Sequence, residues 1–288
     1  MDNFDAYYDP VIKRKNIKNF LLNKNFTLIE GDILDQKLLQ NILNCADLIF
    51  HEAAQPGVRS SVENPMKAHQ VNATGTLNIL KAALNTDVKK IVYASSSSVY
   101  GRIKYLPFDE DHPNKPVSPY GASKLMAEEY CRIFDEIYGL NTVSLRYFSV
   151  YGPRMRPDLA ISIFVKRAMK DEPVEIFGDG TKTRDFTYID DIVKANILAV
   201  RKGRGAYNIG SGGSISISEL AEKIIKITGS SSKILYGNDS KGDAEHTLSN
   251  VAKAKSELGW HPEVDIGRGI QKYTDWLKIE QSNGVDEF

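Results

Sequence analysis

The chain has 288 residues, 42% of them hydrophobic, with 37 basic and 37 acidic side chains. Zero formal charge removes the broad basic field that nucleic-acid binding relies on, and the length is enough to bury a substantial core as one large domain or two lobes. Cys45 and Cys131 are the only cysteines, too few for a disulfide framework or a metal cage and in keeping with a reducing cytoplasm, and no apolar run approaches the roughly 20 residues of a membrane span.

From Asp9 and Pro10 the pattern predicts a helix to Leu22, with Ile12, Ile17, Phe20 and Leu21 on its apolar side. Strands and helices then alternate: strand 26–30, helix 35–44, strand 46–51, helix 63–86 and strand 90–95. Ser118 as N-cap and Pro119 at the first helical position open a helix over 120–138 that Gly139 ends, and strand 142–148 follows. This repetition predicts an α/β fold with a doubly wound parallel sheet, whose ligands sit at the carboxyl ends of the strands. Beyond Gly152 the alternation loosens. Helix 161–170, strands 174–177 and 184–189, helix 190–202 and helices 218–228, 251–258 and 266–279 read as a smaller lobe. The expected division is 1–155 and 156–288, with 180–205 crossing back to the first lobe. Gly210, Gly212 and Gly213 lack the Gly-Lys-Ser/Thr of a phosphate loop and read as a turn.

The chemistry concentrates in residues 90–124. Strand 90–95 runs into Ser95, Ser96, Ser97 and Ser98, at the end of a strand where open parallel sheets bind ligands. In the next helix Tyr120 and Lys124 stand at i and i+4, on one face and at the end nearest the strand termini. A cation beside a phenol favours phenolate, so the pair can act as a base toward a hydroxyl that Ser96 holds. With 14 tyrosines and 25 lysines, about one such spacing is expected by chance, and there are two. Tyr100 and Lys104 fall in an apparent loop before Pro107, where nothing fixes them on one face.

Taken together, the serine run with its Val-Tyr-Gly at 95–101, Tyr-Gly-Ala-Ser-Lys at 120–124, Arg-Tyr-Phe-Ser-Val-Tyr-Gly-Pro at 146–153 and Arg-Asp-Phe-Thr-Tyr at 184–188 resemble the extended short-chain dehydrogenase/reductase family, specifically its nucleotide-sugar epimerases. The likeness spans essentially the whole chain. It implies a Rossmann domain that holds NAD and a smaller lobe that holds a UDP-sugar, with Tyr120 as base, Lys124 on the nicotinamide ribose and Ser96 on the sugar 4-hydroxyl. For the cofactor it implies Asp2 at the adenosine ribose, Asp32 and Ile33 at the adenine, Ala53, Ala54 and Gln55 under the pyrophosphate and ribose, Asn72 in the helix that follows, and Phe148 beside the nicotinamide. A carboxylate at Asp2 favours NAD over NADP, because it repels a 2′-phosphate. For the substrate it implies Arg184 on the diphosphate, with Arg59 reaching the same phosphates or a sugar carboxylate and Asp243 near a second phosphate contact. Many relatives have an arginine three residues before that aspartate, where this chain has Ser240.

The implied reaction is oxidation at C4, turnover of the 4-keto sugar in the site, and reduction on the other face. Dehydratases and decarboxylases that resemble this chain carry a glutamate where Ser97 and Ser98 stand, and serine is a poor acid or base, so simple epimerisation is favoured over those alternatives. Ser97, Ser98 and Ser149 can donate hydrogen bonds to a sugar carboxylate, which favours UDP-glucuronate over UDP-glucose or UDP-galactose. The resemblance also suggests a homodimer through helices 63–86 and 120–138. No Gly-x-x-Gly-x-x-Gly loop precedes Asp2, and such a loop with its strand belongs in the middle of this kind of sheet. Met1 therefore reads as an internal start. A non-catalytic remnant or fragment that binds a sugar nucleotide stands as the reading from another class.

Overall fold

The computed structural model describes residues 1–238 and 245–282. In chain order its first elements are α1 (Pro10–Ile17), α2 (Gln36–Leu43), β1 (Leu48–His51), α3 (Val58–Glu63), α4 (Pro65–His69), α5 (Gly75–Ala83) and β2 (Lys90–Ser96). Next come α6 (Pro119–Tyr138), β3 (Thr142–Tyr147), β4 (Ser149–Tyr151), α7 (Ala160–Met169), β5 (Val174–Phe177), β6 (Thr183–Arg184), β7 (Phe186–Tyr188) and α8 (Ile189–Arg201). The chain then forms β8 (Gly205–Ile209), β9 (Ile215–Ser216), α9 (Ile217–Thr228), β10 (Ile234–Gly237) and α10 (Ile266–Ser282).

All seven residues of β2 are buried, the pattern of a strand covered on both faces. It lies inside a parallel sheet of order β1-β2-β3-β8, with Tyr93 beside Ser144, Ser95 beside Arg146 and Arg146 beside Asn208. Ile91 and Tyr93 face one side and pack with Ile79 and Leu80 of α5 and Ala127, Cys131 and Phe134 of α6. Val92 faces the other and packs with Val143, Leu145, Ile192 and Ala195 of α8 and with Trp260. Each such side chain contributes about 1.5–3 kcal/mol on burial. The sheet is therefore doubly wound. A third core gathers α7, α9 and α10 around Val174 and Ile176 of β5, and β10 pairs with β5 in parallel.

Helix α6 is fixed at both ends. The Ser118 hydroxyl accepts from Gly121 N, Pro119 occupies the first turn, and Gly139 closes the helix with φ 71°. A cap of this kind is worth about 1 kcal/mol. A Cβ on Gly121 would lie 2.5 Å from the Ser98 carbonyl oxygen, so only glycine lets the first turn press on the serine loop.

Four expectations change. Helix 10–22 stops at Ile17, and a 3₁₀ turn at Phe20–Leu22 leaves Phe20 and Leu21 half-exposed, because no core lies beneath them. Residues 26–30 form no strand. Glu30 makes only an isolated bridge to Asp2, and a ladder needs a longer partner than that bridge offers. Helix 63–86 is broken, since Pro65 restarts it with Asn64 as N-cap, and a π turn at Gln70–Thr74 separates α4 from α5. Strand β8 was not expected between helix 190–202 and the glycine turn, yet Tyr207 and Ile209 are core residues.

Candidate functional site

The carboxyl ends of β1, β2 and β3 open onto two cavities that meet at α6. Ser96 ends β2 and caps the 3₁₀ turn Ser97–Val99, its Oγ accepting from Ser98 N at 3.1 Å. The Ser96 hydroxyl also favours the ionised form of the Tyr120 phenol. The Tyr120 backbone is pinned as well. Its N–H donates to Ser61 Oγ at 3.0 Å, and its carbonyl accepts from Ser123 Oγ at 2.8 Å. The first cavity, about 740 Å³, is lined by Ser96, Ser97, Ser98, Tyr120, Phe148, Ser149, Arg59, Arg156, Arg167, Lys182 and Arg184. The second, about 670 Å³, is lined by Asp2, Asp32, Ile33, Glu52, Ala53, Ala54, Gln55, Tyr120 and Lys124. Tyr120 borders both.

Electrostatics differ from the sequence expectation. Burial pushes the Tyr120 phenol above its ordinary value, and what opposes this is the Ser96 hydroxyl and the positive charge of Arg156. Lys124 is not among the groups that lower it. Its ammonium lies 4.7 Å from the centre of the Tyr93 ring, and burial pulls it down to about 8 against the charges of Glu52, Cys131 and Glu128. In the protein alone, loss of water around the phenol outweighs the nearby cations.

Several expected residues have other tasks. The Asn72 amide accepts from Gln55 N at 2.7 Å and donates to Gln55 O at 3.1 Å and Ser123 Oγ at 2.9 Å. Asn72 is 1% exposed, so it braces the loop of residues 53–55 against α6 and does not border the second cavity. Phe148 borders the first cavity, not the second. The Asp32 carboxylate accepts from Leu34 N at 2.9 Å and Asn3 Nδ2 at 2.8 Å, and its carbonyl accepts from Asp35 N at 3.0 Å, which makes it a turn residue at the edge of the second cavity. Asp2 Oδ1 accepts from Phe4 N at 2.7 Å, while the residue itself borders the second cavity. Arg184 donates to the carbonyls of Thr183 at 2.9 Å and Glu245 at 3.2 Å, and the Arg59 guanidinium stacks 4.8 Å from the Phe177 ring centre. Asp243 and Ser240 lie outside the described residues. Tyr100 is part of the core, bonded to Asn208 Oδ1 at 2.6 Å, so its spacing to Lys104 has no chemical meaning.

Sequence reading missed Glu52, Tyr147, Arg156 and Tyr7. Glu52 directly follows β1, a place the strand-end rule marks for attention. It accepts from the Tyr147 hydroxyl at 3.1 Å, and loss of water raises its carboxyl above the ordinary value, partly offset by Tyr147 and Lys124. The Arg156 guanidinium sits 5.3 Å from the Tyr7 ring centre and bonds Asp158 at 3.0 and 3.3 Å. Tyr7, Tyr147 and Arg156 all border both cavities.

A parallel sheet whose strand ends open on two such cavities, the first of them rich in cationic side chains, defines an α/β nucleotide-binding fold. Residues 8–210 match the NAD dependent epimerase/dehydratase family. The chain is 38% identical over 283 residues to the UDP-glucuronate 4-epimerase of Thermodesulfobacterium geofontis, covering 96% of this chain and 87% of that protein. The crystal structure of the UDP-glucuronic acid 4-epimerase from Bacillus cereus, in complex with UDP-glucuronic acid and NAD, superposes with a TM-score of 0.91 at 35% identity, covering 96% of this chain and 90% of that one. The UDP-glucose 4-epimerase from Thermotoga maritima, solved with UDP-glucose, gives 0.88 at 33% identity, covering 94% and 95%. The chain therefore belongs to the NAD dependent epimerase/dehydratase family, among the extended short-chain dehydrogenases/reductases.

The residues at the second cavity fit the family's cofactor in part. Ala53 and Ala54 leave room for close approach of a ribose and pyrophosphate, and Lys124 supplies a buried cation. Among the described residues no glycine-rich loop leads into a helix N-terminus at this cavity.

Proposed function

We propose that the protein epimerises the C4 centre of a UDP-sugar, with UDP-glucuronate as preferred substrate. The observation that carries this is the position of Tyr120, on the border of both cavities and beside Ser96 at the end of β2. Ser96 holds the C4 hydroxyl and Tyr120 takes its proton. When bound, NAD supplies the hydride acceptor and donor at C4. The resulting ketone turns over in the first cavity, and Tyr120 returns the proton to the oxygen on the new face. Lys124 and the 53–55 loop hold the nicotinamide ribose, and Asp2, Asp32 and Ile33 hold the adenosine end. Asn72 supports Gln55 and Ser123 without touching the ligand. Phe148 packs beside the sugar.

Arg184 and Arg59 meet the diphosphate, a task suited to bidentate donors. Ser97, Ser98 and Ser149 donate to the sugar carboxylate. Elimination would need an acid and a base on that loop, and three hydroxyls offer neither. Residues 1–155 carry the cofactor and 156–288 the sugar nucleotide, with the segment around 180–205 returning to the sheet through β8. Two free thiols, one of them exposed, suit a cytoplasmic enzyme. Val62, Met66, Met126 and Ile137 are 59%, 62%, 42% and 70% exposed on α3, α4 and α6, a face suited to a homodimer that sedimentation of the purified chain will test.

The deciding assay incubates the purified protein with NAD and UDP-glucuronate, UDP-glucose or UDP-N-acetylglucosamine. The expected sole product is the C4 epimer, formed fastest from UDP-glucuronate; release of a pentose or a 4-keto-6-deoxy product would overturn the proposal. In Ser98→Glu a second carboxylate faces that of the substrate. Its KM for UDP-glucuronate should rise about tenfold more than that for UDP-glucose, equivalent to about 1.4 kcal/mol of repulsion. Equal effects on the two sugars would remove the carboxylate from the preference.

A further inference from the structure

Four segments distant in sequence frame the cationic cavity or its floor: 149–151, 183–188, 210–213 and 246–250. They converge on one residue. Asp185 is 0% exposed, and Oδ1 accepts from Ser211 N at 2.7 Å and Ser211 Oγ at 2.6 Å. Oδ2 accepts from Ser249 Oγ at 2.5 Å, Ser249 N at 3.0 Å and Gly212 N at 3.2 Å. Its backbone is equally committed. The N–H donates to Thr247 Oγ1 at 3.0 Å, and the carbonyl accepts from Ser149 N at 2.9 Å. Every donor on this carboxylate is a neutral N–H or O–H, drawn from two separate segments. The fit leaves no slack, since a Cβ on Gly210 would lie 2.2 Å from Ser249 Oγ and 2.9 Å from Asp185 Oδ2.

We propose that Asp185 is a positioning residue for the sugar nucleotide. Its side chain anchors the glycine turn and Ser249. Its own backbone carries Arg184 on one side and holds Ser149 on the other, so the clasp sets the spacing between the phosphate end and the sugar end of the cavity. The glycine turn is thus part of the frame of the site and not a ligand loop. This rests on reading the cavity as a UDP-sugar site.

Asp185→Asn keeps the shape but turns an N–H₂ group toward groups that are already donors. Calorimetry with UDP as probe should show affinity weakened by about tenfold or more, and KM for the UDP-sugar should rise by the same factor. The value of kcat should stay within about threefold, because Tyr120 and Ser96 stand on other elements. Ser211→Ala and Ser249→Ala remove one hydroxyl donor each but leave the backbone donors. They should melt near the parent temperature and lose about threefold in UDP affinity. Unchanged UDP affinity in these folded variants would overturn the proposal, and so would a loss in kcat at constant KM. Failure of the functional reading looks different: the parent chain would bind UDP and leave every UDP-sugar unconverted.

Discussion

Tyr120→Phe will lower kcat by about 10³-fold, within the 10²–10⁴ range for loss of a positioned acid–base group, while leaving the melting temperature almost unchanged. Only a hydroxyl is lost, and the backbone bonds to Ser61 and Ser123 that seat the residue remain. Turnover equal to the parent would remove Tyr120 from the mechanism. The same site has a pH signature. Burial brings the Lys124 ammonium down to about 8, so its charge is present below that pH and lost as pH rises through it. The kcat/KM profile should therefore fall on the alkaline side near pH 8, well below the pH at which an unburied lysine would give the same fall. Lys124→Arg, whose guanidinium stays charged, should move that limb upward even where it lowers the absolute rate. A limb at the same pH in both proteins would assign it to another group.

Glu128→Gln should be the most destabilising of the substitutions considered, by about 3–5 kcal/mol. Glu128 accepts from Arg146 Nη2 at 2.6 Å and from Nε at 3.1 and 3.2 Å, and from Ser95 Oγ at 2.6 Å. The two side chains are 6% and 5% exposed. Burial alone would pull the Arg146 guanidinium down, but the charge and hydrogen bonds of Glu128 more than reverse that and hold it raised. Removing the carboxylate charge leaves a buried cation among neutral acceptors alone, the Gln amide oxygen, the Tyr100 hydroxyl at 2.9 Å and the Glu110 carbonyl at 3.3 Å. Urea titration with an unchanged midpoint would refute this. Glu128→Leu combined with Arg146→Met should recover much of the loss, since apolar pairs of similar volume often replace buried ion pairs without cost.

The parts of the fold that were legible in the sequence are those whose signals are local. Ser118, Pro119 and Gly139 mark the ends of α6 within one turn of where they fall, and the Ile-Val-Tyr run of β2 is too β-branched and too short for a helix. Strand β8 was missed because Gly205 and the glycines after Ile209 hide a five-residue strand that pairs with β3, more than 50 residues earlier. Residues 26–30 carry a strand-like sequence, but a strand exists only through its partner. The site divides in the same way. Ser96, Tyr120 and Lys124 lie in one continuous stretch and could be read together, whereas Glu52, Tyr147 and Arg156 reach the cavities only through folding. Asn72 reads from sequence equally as a cofactor contact or as a brace for the loops, and its bonds to Gln55 and Ser123 are those of a brace. The direction of the Tyr120 shift could not be read at all, because spacing reveals a neighbouring cation and says nothing of the water the phenol loses.

The close seat of Gly121 on the Ser98 carbonyl has a consequence for stereochemistry. It seats the helix that carries Tyr120 directly on the loop that follows Ser96, and the proposed base and hydroxyl donor then share one support. In the proposed reaction both hands of the sugar must then be served by a single stationary pair of hydroxyls. Inversion is achieved by the ketone turning its other face to a fixed stage, and the cavity has to be roomy where the sugar rotates and tight only where the diphosphate is tethered.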